Sequence, residues 1–207
     1  MHDQVKAVLF DFGLVLSGPA NVVVWDEMKR ELAMDEATFH PSYWQFRDEY
    51  DRGTLNGTEY WNAVAGRKLQ DAEVAELKRL DTELWTDMNE PMVAWAERLQ
   101  KAGVKTGILS NIGDAMEDGI RGKLAWVAEF THAVWSHQLK MRKPEPEIYA
   151  VAVKGLGVPA EQILFVDDRE ENIRGAEAAG MLGIVYKNHA AFLAEMERRD
   201  FLDLWGA

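Results

Sequence analysis

The chain has 207 residues, 47% of them hydrophobic and 28% charged, which is enough apolar material for a sizeable core and argues against disorder. Its net charge of −12 and pI near 4.9 exclude a general affinity for nucleic acid or anionic membranes, both of which need a positive field. The absence of cysteine rules out disulfides, thiolate catalysis and cysteine-ligated metal centres. No apolar run approaches the roughly 18 residues of a membrane span.

The first four residues, Met1-His2-Asp3-Gln4, carry an acid ahead of a short apolar run and do not read as a secretory signal, so a cytoplasmic chain is expected. Val5 to Phe10 is an apolar run with β-branched residues that stops at Asp11-Phe12-Gly13, the pattern of a strand ending in an acidic loop. Ser17-Gly18-Pro19 then breaks the chain, and the next seventy residues are poor in strand signals. Asp35 and Asp71 suit helix N-caps, Gly53 and Gly57 mark turns, and Val74, Leu77, Leu80 and Leu84 form one apolar stripe. Pro91 to Ala102 reads as a helix, with Met92, Trp95, Ala96 and Leu99 on one face and Gly103 as its stop.

Further strand-like runs follow at Lys105–Leu109, Ala133–Trp135, Ile163–Val166 and Gly183–Tyr186, with a short helix over Ile173–Ala179. Strands alternating with helices predict βαβ units and a parallel sheet, an α/β fold in which right-handed crossovers bring all strand C-termini to one edge. Ligands bind at that edge, so the polar residues after the strands should converge there. The tail AEMERRDFLDLW predicts one amphipathic terminal helix. Gly155-x-Gly157 follows a helix and precedes a strand, the reverse of a dinucleotide loop. The five histidines show no metal-ligand spacing, and the eight tryptophans, those of residues 17–90 included, are expected chiefly to pack the core.

Four short pieces stand in order along the chain: Asp11-Phe12-Gly13, Ser110-Asn111, Lys143-Pro144 within MRKPEPEIY, and Asp167-Asp168. Taken singly each has a plainer reading. An acid after a strand forms a turn or cap, Ser-Asn is common in turns, and a lysine is usually solvated. Together they resemble motifs one to four of the haloacid dehalogenase superfamily. Within it, the chain is similar to the bacterial subgroup with a D-x-G first motif and an M-R-K-P-E third motif, to which α-glucose-1-phosphate phosphatases belong. DRGTLNGTEYW resembles a recurrent stretch of that superfamily's small helical cap.

The resemblance implies a Rossmann-like core over residues 1–16 and 91–207, with a helical cap domain over 17–90. It implies a Mg²⁺-dependent phosphatase of a small phosphorylated metabolite, a sugar phosphate being favoured, working through an aspartyl-phosphate. Asp11 would be the nucleophile. Ser110, Asn111 and Lys143 would bind the phosphoryl group, Ser110 and Lys143 taking part in catalysis. Asp11, the carbonyl of Gly13 and Asp167 would hold the metal, with Asp168 nearby. The chemistry suits the residues, since a transferring phosphoryl group needs positioned cations and donors, a carboxylate can attack phosphorus, and Mg²⁺ takes oxygen ligands. Backbone N–H groups after Ser110, near a helix start, would add an anion site.

Two departures bear on this. The acid/base that such phosphatases carry two residues after the nucleophile is replaced by Gly13, and an acid of that kind contributes roughly 10²–10⁴-fold. A substitute would come from Asp168, His137 or the cap. A sugar 1-phosphate, whose anomeric oxygen is the better leaving group, would depend less on such an acid; the alternatives to a phosphatase are a dehalogenase-type attack of Asp11 on carbon, or a catalytically weak phosphate-binding regulator. The second departure is Lys140, where similar proteins have glycine; the loop is expected to differ locally rather than to hold a lysine at positive φ.

Overall fold

A computed structural model describes residues 5–206; Met1-His2-Asp3-Gln4 lies outside the described residues. Among these residues five strands form one sheet: β1 (Ala7–Phe10), β2 (Lys105–Ser110), β3 (His132–Trp135), β4 (Ile163–Asp167) and β5 (Leu182–Val185). The order is β3-β2-β1-β4-β5, and every pairing is parallel. Each expected strand is present with ends shifted by one or two residues, the usual margin at element boundaries. Ala7 is in register with both Lys105 and Ile163, and Phe10 with Ile108 and Val166, so the ends of β1, β2 and β4 lie level. The chain grows outward from β1 in both directions, so the topological switch point falls between β1 and β4, where ligands bind in such sheets.

Alternation along β1 feeds two cores. Ala7 and Leu9 face Ile148, Tyr149 and Phe165 on one side. Val8 and Phe10 face the other, where α6 (Glu90–Lys101) buries Met92, Trp95, Ala96 and Leu99, with the Trp95 ring edge-on to Phe10 at 5.3 Å. Gly103, at φ +78, ends that helix as expected. Trp95 Nε1 also donates to the Leu204 carbonyl at 3.0 Å, fastening the end of the chain to the sheet layer.

Between β1 and α6 the described residues form α1 (Val22–Glu31), α2 (Glu36–Gln45), α3 (Arg47–Arg52), α4 (Gly57–Ala65) and α5 (Asp71–Leu84). Asp35 caps α2, its carboxylate accepting from Thr38 N at 2.9 Å. Asp71 is not a cap. The cap of α5 is Gln70, whose N–H is held by the Glu73 carboxylate at 2.7 Å, so the helix starts one residue early. The expected stripe Val74, Leu77, Leu80 and Leu84 is buried. Gly53 ends α3 at φ +76, while Gly57 opens α4 behind the cap Asn56. The chain leaves and re-enters the sheet layer side by side, with Gly18 N on the Asp87 carbonyl at 2.6 Å and Asn89 N on that of Leu16 at 2.9 Å.

After β2 come α7 (Asp114–Lys123), α8 (Ser136–Leu139), α9 (Pro146–Leu156), α10 (Glu170–Ala178), α11 (His189–Arg198) and α12 (Leu202–Trp205). The single terminal helix expected from the tail is instead two, because Asp200 takes the left-handed conformation at φ 60. Among the described residues no helix is long and apolar enough to cross a membrane.

Candidate active site

Asp11 follows β1 directly, its N–H bonded to the Val166 carbonyl of β4 at 2.9 Å, so the main chain fixes it at the switch point. Three donors meet on one of its oxygens, Oδ1: Phe12 N at 2.7 Å, Ser110 Oγ at 2.8 Å and Lys143 Nζ at 2.9 Å. Oδ2 takes none of these. Ser110 ends β2 and Asp167 ends β4, so three parallel strands deliver three of the expected residues to one place. Lys143 comes from the loop after α8. Its backbone is gripped by Asn111, whose Oδ1 accepts from Lys143 N at 2.8 Å while Nδ2 donates to the Lys143 carbonyl at 3.1 Å. Asn111 therefore positions the lysine, a role more specific than the phosphate contact expected for it.

Lys143 is buried and its ammonium is shared between Asp11 and Asp167, the latter at 2.7 Å. Asp167 lies fully buried behind the site, with Oδ1 accepting from Arg169 N at 2.8 Å and Asn172 Nδ2 at 2.9 Å. Asn172, in the first turn of α10, was not singled out in the sequence; its position five residues past a strand-end acid is the only local signal. Asp168 is half-buried and reaches the cavity instead. One carboxylate oxygen from each of Asp11, Asp167 and Asp168 lies within 4.8 Å of the other two, the one such acidic group among the described residues that could hold a cation.

The electrostatics follow from this crowding. Burial pushes the Asp11 carboxyl up to about 7 against the pull of Lys143, and Asp167 and Asp168 add to the rise. Burial and Asp167 likewise raise Asp168. For Lys143 burial opposes the charge, but Asp11 and Asp167 outweigh it and hold the ammonium above the usual lysine value. One buried cation thus faces three carboxylates, an excess of negative charge that a divalent ion would relieve. The donors present fit Mg²⁺: all are carboxylate oxygens, and Gly13, half-buried, lines the same cavity.

Asp11, Gly13, Ser110, Asn111, Lys143 and Asp168 line a cavity of about 470 Å³ between the sheet edge and the inserted helices. The opposite wall carries Trp44, Arg47, Asp48, Asp51 and Trp85, none of them picked out as a site residue by a motif. Trp44 is 46% exposed and Trp85 half-buried, so two of the four tryptophans in the insertion face the cavity, whereas Trp61 is buried and Trp25 packs on Phe39 and Tyr43. His137, one candidate for the missing acid, is not at the cavity: its Nε2 is 2.7 Å from the Glu117 carboxylate. Nor are the N–H groups after Ser110 all open to an anion, since that of Ile112 donates to Ser136 Oγ at 2.9 Å.

Lys140 does take positive φ, at 57, contrary to the expected local change of loop. A lysine costs more than glycine there, but its ammonium binds the Gly53 carbonyl across the gap. Around it α3 is bound to the loop that carries Lys143: Arg52 pairs with Glu145, Arg142 with Asp48, and Ser136 Oγ donates to the Asp51 carbonyl. Gly53 is required at this seam, since a Cβ there would meet the His137 carbonyl at 2.5 Å.

Comparison with known proteins agrees with this geometry. Residues 5–180 match the family model described as haloacid dehalogenase-like hydrolase. The chain is 29% identical over 181 residues to phosphoglycolate phosphatase of Xanthomonas campestris, covering 85% of this chain and 80% of that one. It is 25% identical over 194 residues to drimenol cyclase drtB of Aspergillus calidoustus, covering 88% of this chain but only 34% of that protein's length. Likewise it spans only 21% of the bifunctional epoxide hydrolase 2 of mouse. Among solved structures, a HAD family enzyme of Bacteroides thetaiotaomicron superposes with a TM-score of 0.75 at 20% identity, over 89% of this chain and 95% of that one. The match covers most of the chain, and the chain belongs to the haloacid dehalogenase-like hydrolases.

Proposed function

We propose that the protein is a Mg²⁺-dependent phosphomonoesterase of the cytoplasm acting on a small phosphorylated metabolite, with residues 1–16 and 91–207 as catalytic core and 17–90 as cap. The observation that carries this reading is the convergence of Asp11, Asp167 and Asp168 on one buried lysine at the switch point of the sheet. Without a cation these carboxylates would repel a phosphate or any other anionic substrate. Bound by Asp11, the Gly13 carbonyl and Asp167, with Asp168 at hand, Mg²⁺ would neutralise charge on the phosphoryl oxygens. The Bacteroides enzyme of the same fold has been solved with magnesium and inorganic phosphate, and the Xanthomonas relative is a phosphoglycolate phosphatase.

The chain's own residues divide the work as follows. Asp11 attacks phosphorus through the oxygen left free of donors, while Oδ1 is held by Phe12 N, Ser110 and Lys143. Ser110 and Lys143 turn to the phosphoryl oxygens as negative charge spreads over them. Asn111 keeps Lys143 in position through its backbone, and Asn172 and Arg169 N fix the orientation of Asp167. The inserted helices close over the substrate and exclude water. A sugar phosphate is favoured: the open ring of Trp44 gives a flat face, and Asp48 beside it an acceptor for hydroxyl groups. Dehalogenation is the weaker reading, because a haloacid is an anion and the site holds three acids to one lysine.

The test is phosphate release from a panel of sugar phosphates, glycolate phosphate and prenyl phosphates, with and without Mg²⁺. Metal-dependent release supports the reading, and Asp167→Ala should shift the Mg²⁺ titration to higher concentration; chloride release from 2-chloropropionate without metal, and no phosphate release, would replace it with dehalogenation.

A further inference from the structure

Gly13 offers no side chain to protonate a departing oxygen. In an in-line displacement the leaving oxygen lies on the far side of phosphorus from the attacking carboxylate, so an acid on the wall facing Asp11 can reach it. The inserted helices form that wall. Resting on the phosphomonoesterase reading, we propose that Asp51 of α3 is the general acid that protonates the leaving oxygen.

The geometry gives Asp51 both a proton and a position. Arg47, itself buried, sends Nε to Asp51 Oδ1 at 3.0 Å and Nη1 to both oxygens of Asp81 at 3.4 Å. One guanidinium therefore serves two carboxylates from α3 and α5, and the surplus negative charge is relieved by a proton. Asp81 is fully buried and has a further donor in Tyr43 OH at 2.7 Å. Asp51 has Arg47 on one oxygen alone and lines the cavity, so the proton belongs there. Burial pushes its carboxyl up to about 7 against the pull of Arg47, with Asp81 and Asp48 adding to the rise. The phenols of Tyr43, Tyr50 and Tyr60 are held well above their usual value by burial and stay neutral. On the facing loops, Arg142 is paired with Asp48 and His137 with Glu117, so neither competes for Asp51.

Position comes from two ties. Ser136 Oγ donates to the Asp51 carbonyl and accepts from Ile112 N, two residues beyond the serine whose hydroxyl sits on Asp11. From the other side, Asp48 is paired with Arg142, the neighbour of Lys143. Asp51 is thus held over the phosphoryl site by the same two loops that bind the phosphoryl group. As Asp11 forms its bond to phosphorus and the bond to the substrate oxygen breaks, the Asp51 proton passes to that oxygen and the alcohol leaves. Water then attacks phosphorus of the aspartyl-phosphate, its proton returns to Asp51, the bond to Asp11 breaks, and phosphate departs.

The experiment compares kcat/KM of the full chain with Mg²⁺ on two esters, a sugar 6-phosphate and 4-nitrophenyl phosphate, whose phenolate leaves without a proton. Asp51→Asn should cost roughly 10²–10⁴-fold on the sugar ester and leave the aryl ester near the wild-type rate, with Asp51→Glu recovering part of the loss. Equal losses on both esters, or none on either, would overturn the role of Asp51 while leaving the phosphatase reading intact. A wild-type chain that releases phosphate from neither ester overturns both. If Asp51→Asn does not fold, the wild-type pH profiles decide. Activity on the sugar ester that falls as pH rises through about 7, without a matching fall on the aryl ester, supports the proposal; identical profiles overturn it.

Discussion

The sheet edge and the inserted helices each bury one cation against two carboxylates. At the sheet edge Lys143 faces Asp11 and Asp167; in the insertion Arg47 faces Asp51 and Asp81. The means of support differ. Asp11 and Asp167 are held partly by main-chain donors, Phe12 N and Arg169 N, which the strand ends supply. Asp51 and Asp81 are held by side chains alone in the described hydrogen bonds, with the guanidinium packed among the rings of Tyr43, Tyr50 and Tyr60. A lysine is a compact point charge that leaves carboxylate oxygens open to a further ion, whereas the guanidinium fork spends its donors on its own partners. The same imbalance of charge should therefore be met by a metal at the sheet edge and by a proton in the insertion.

Removing each cation tests this contrast with the largest effect. Lys143→Met and Arg47→Met each leave buried carboxylates unpaired and should cost about 3–5 kcal/mol of stability, measured by urea unfolding. Added Mg²⁺ should recover part of the loss for Lys143→Met and none for Arg47→Met. Equal recovery in both would erase the difference between the two clusters.

A smaller effect separates them by pH. The folded chain keeps the Asp51 proton up to about 7, whereas an unfolded chain releases it near 3.8. Folding therefore binds a proton between those values, and the contribution of this group to stability falls as pH rises through the window. Asp51→Asn abolishes that fall, so the melting temperature of the variant relative to wild type should climb from pH 4 to 7 and then level. A difference independent of pH would mean that Asp51 is ionised throughout.

The smallest effect concerns the loop between the two regions. Leu14 is 39% exposed, lines the cavity and sits at φ 58, a conformation that costs a side chain about 1–2 kcal/mol. Leu14→Gly should raise stability by at most about 1 kcal/mol, since glycine adds entropy to the unfolded chain, and should weaken substrate binding if the leucine closes the cavity. Calorimetry and KM read the two effects separately.

The two regions also differ in how far the sequence reveals them. Asp11, Ser110 and Asp167 are legible because a residue directly after a parallel strand is carried to the sheet edge by the backbone, whatever its neighbours. The four motifs add order and spacing to that rule. Asp51, Arg47 and Trp44 lie on helices where periodicity says which face is buried and nothing of what it meets. The carboxylate that meets the Arg47 guanidinium, Asp81, stands thirty-four residues away in the chain. At Lys140 the sequence points to a change of loop, because the left-handed backbone is compensated by a contact to Gly53 that no local pattern encodes. Asp71 lost its capping role to Gln70 for a similarly local reason, the reach of Glu73.

The most direct measurement is phosphate release by wild type and Asp11→Asn, with and without Mg²⁺, on the ester that wild type turns over fastest. Metal-dependent release that drops to background in a variant with unchanged circular dichroism is the expected result. Turnover retained by Asp11→Asn, or release indifferent to Mg²⁺, would contradict nucleophilic attack by Asp11 at a metal-assisted site.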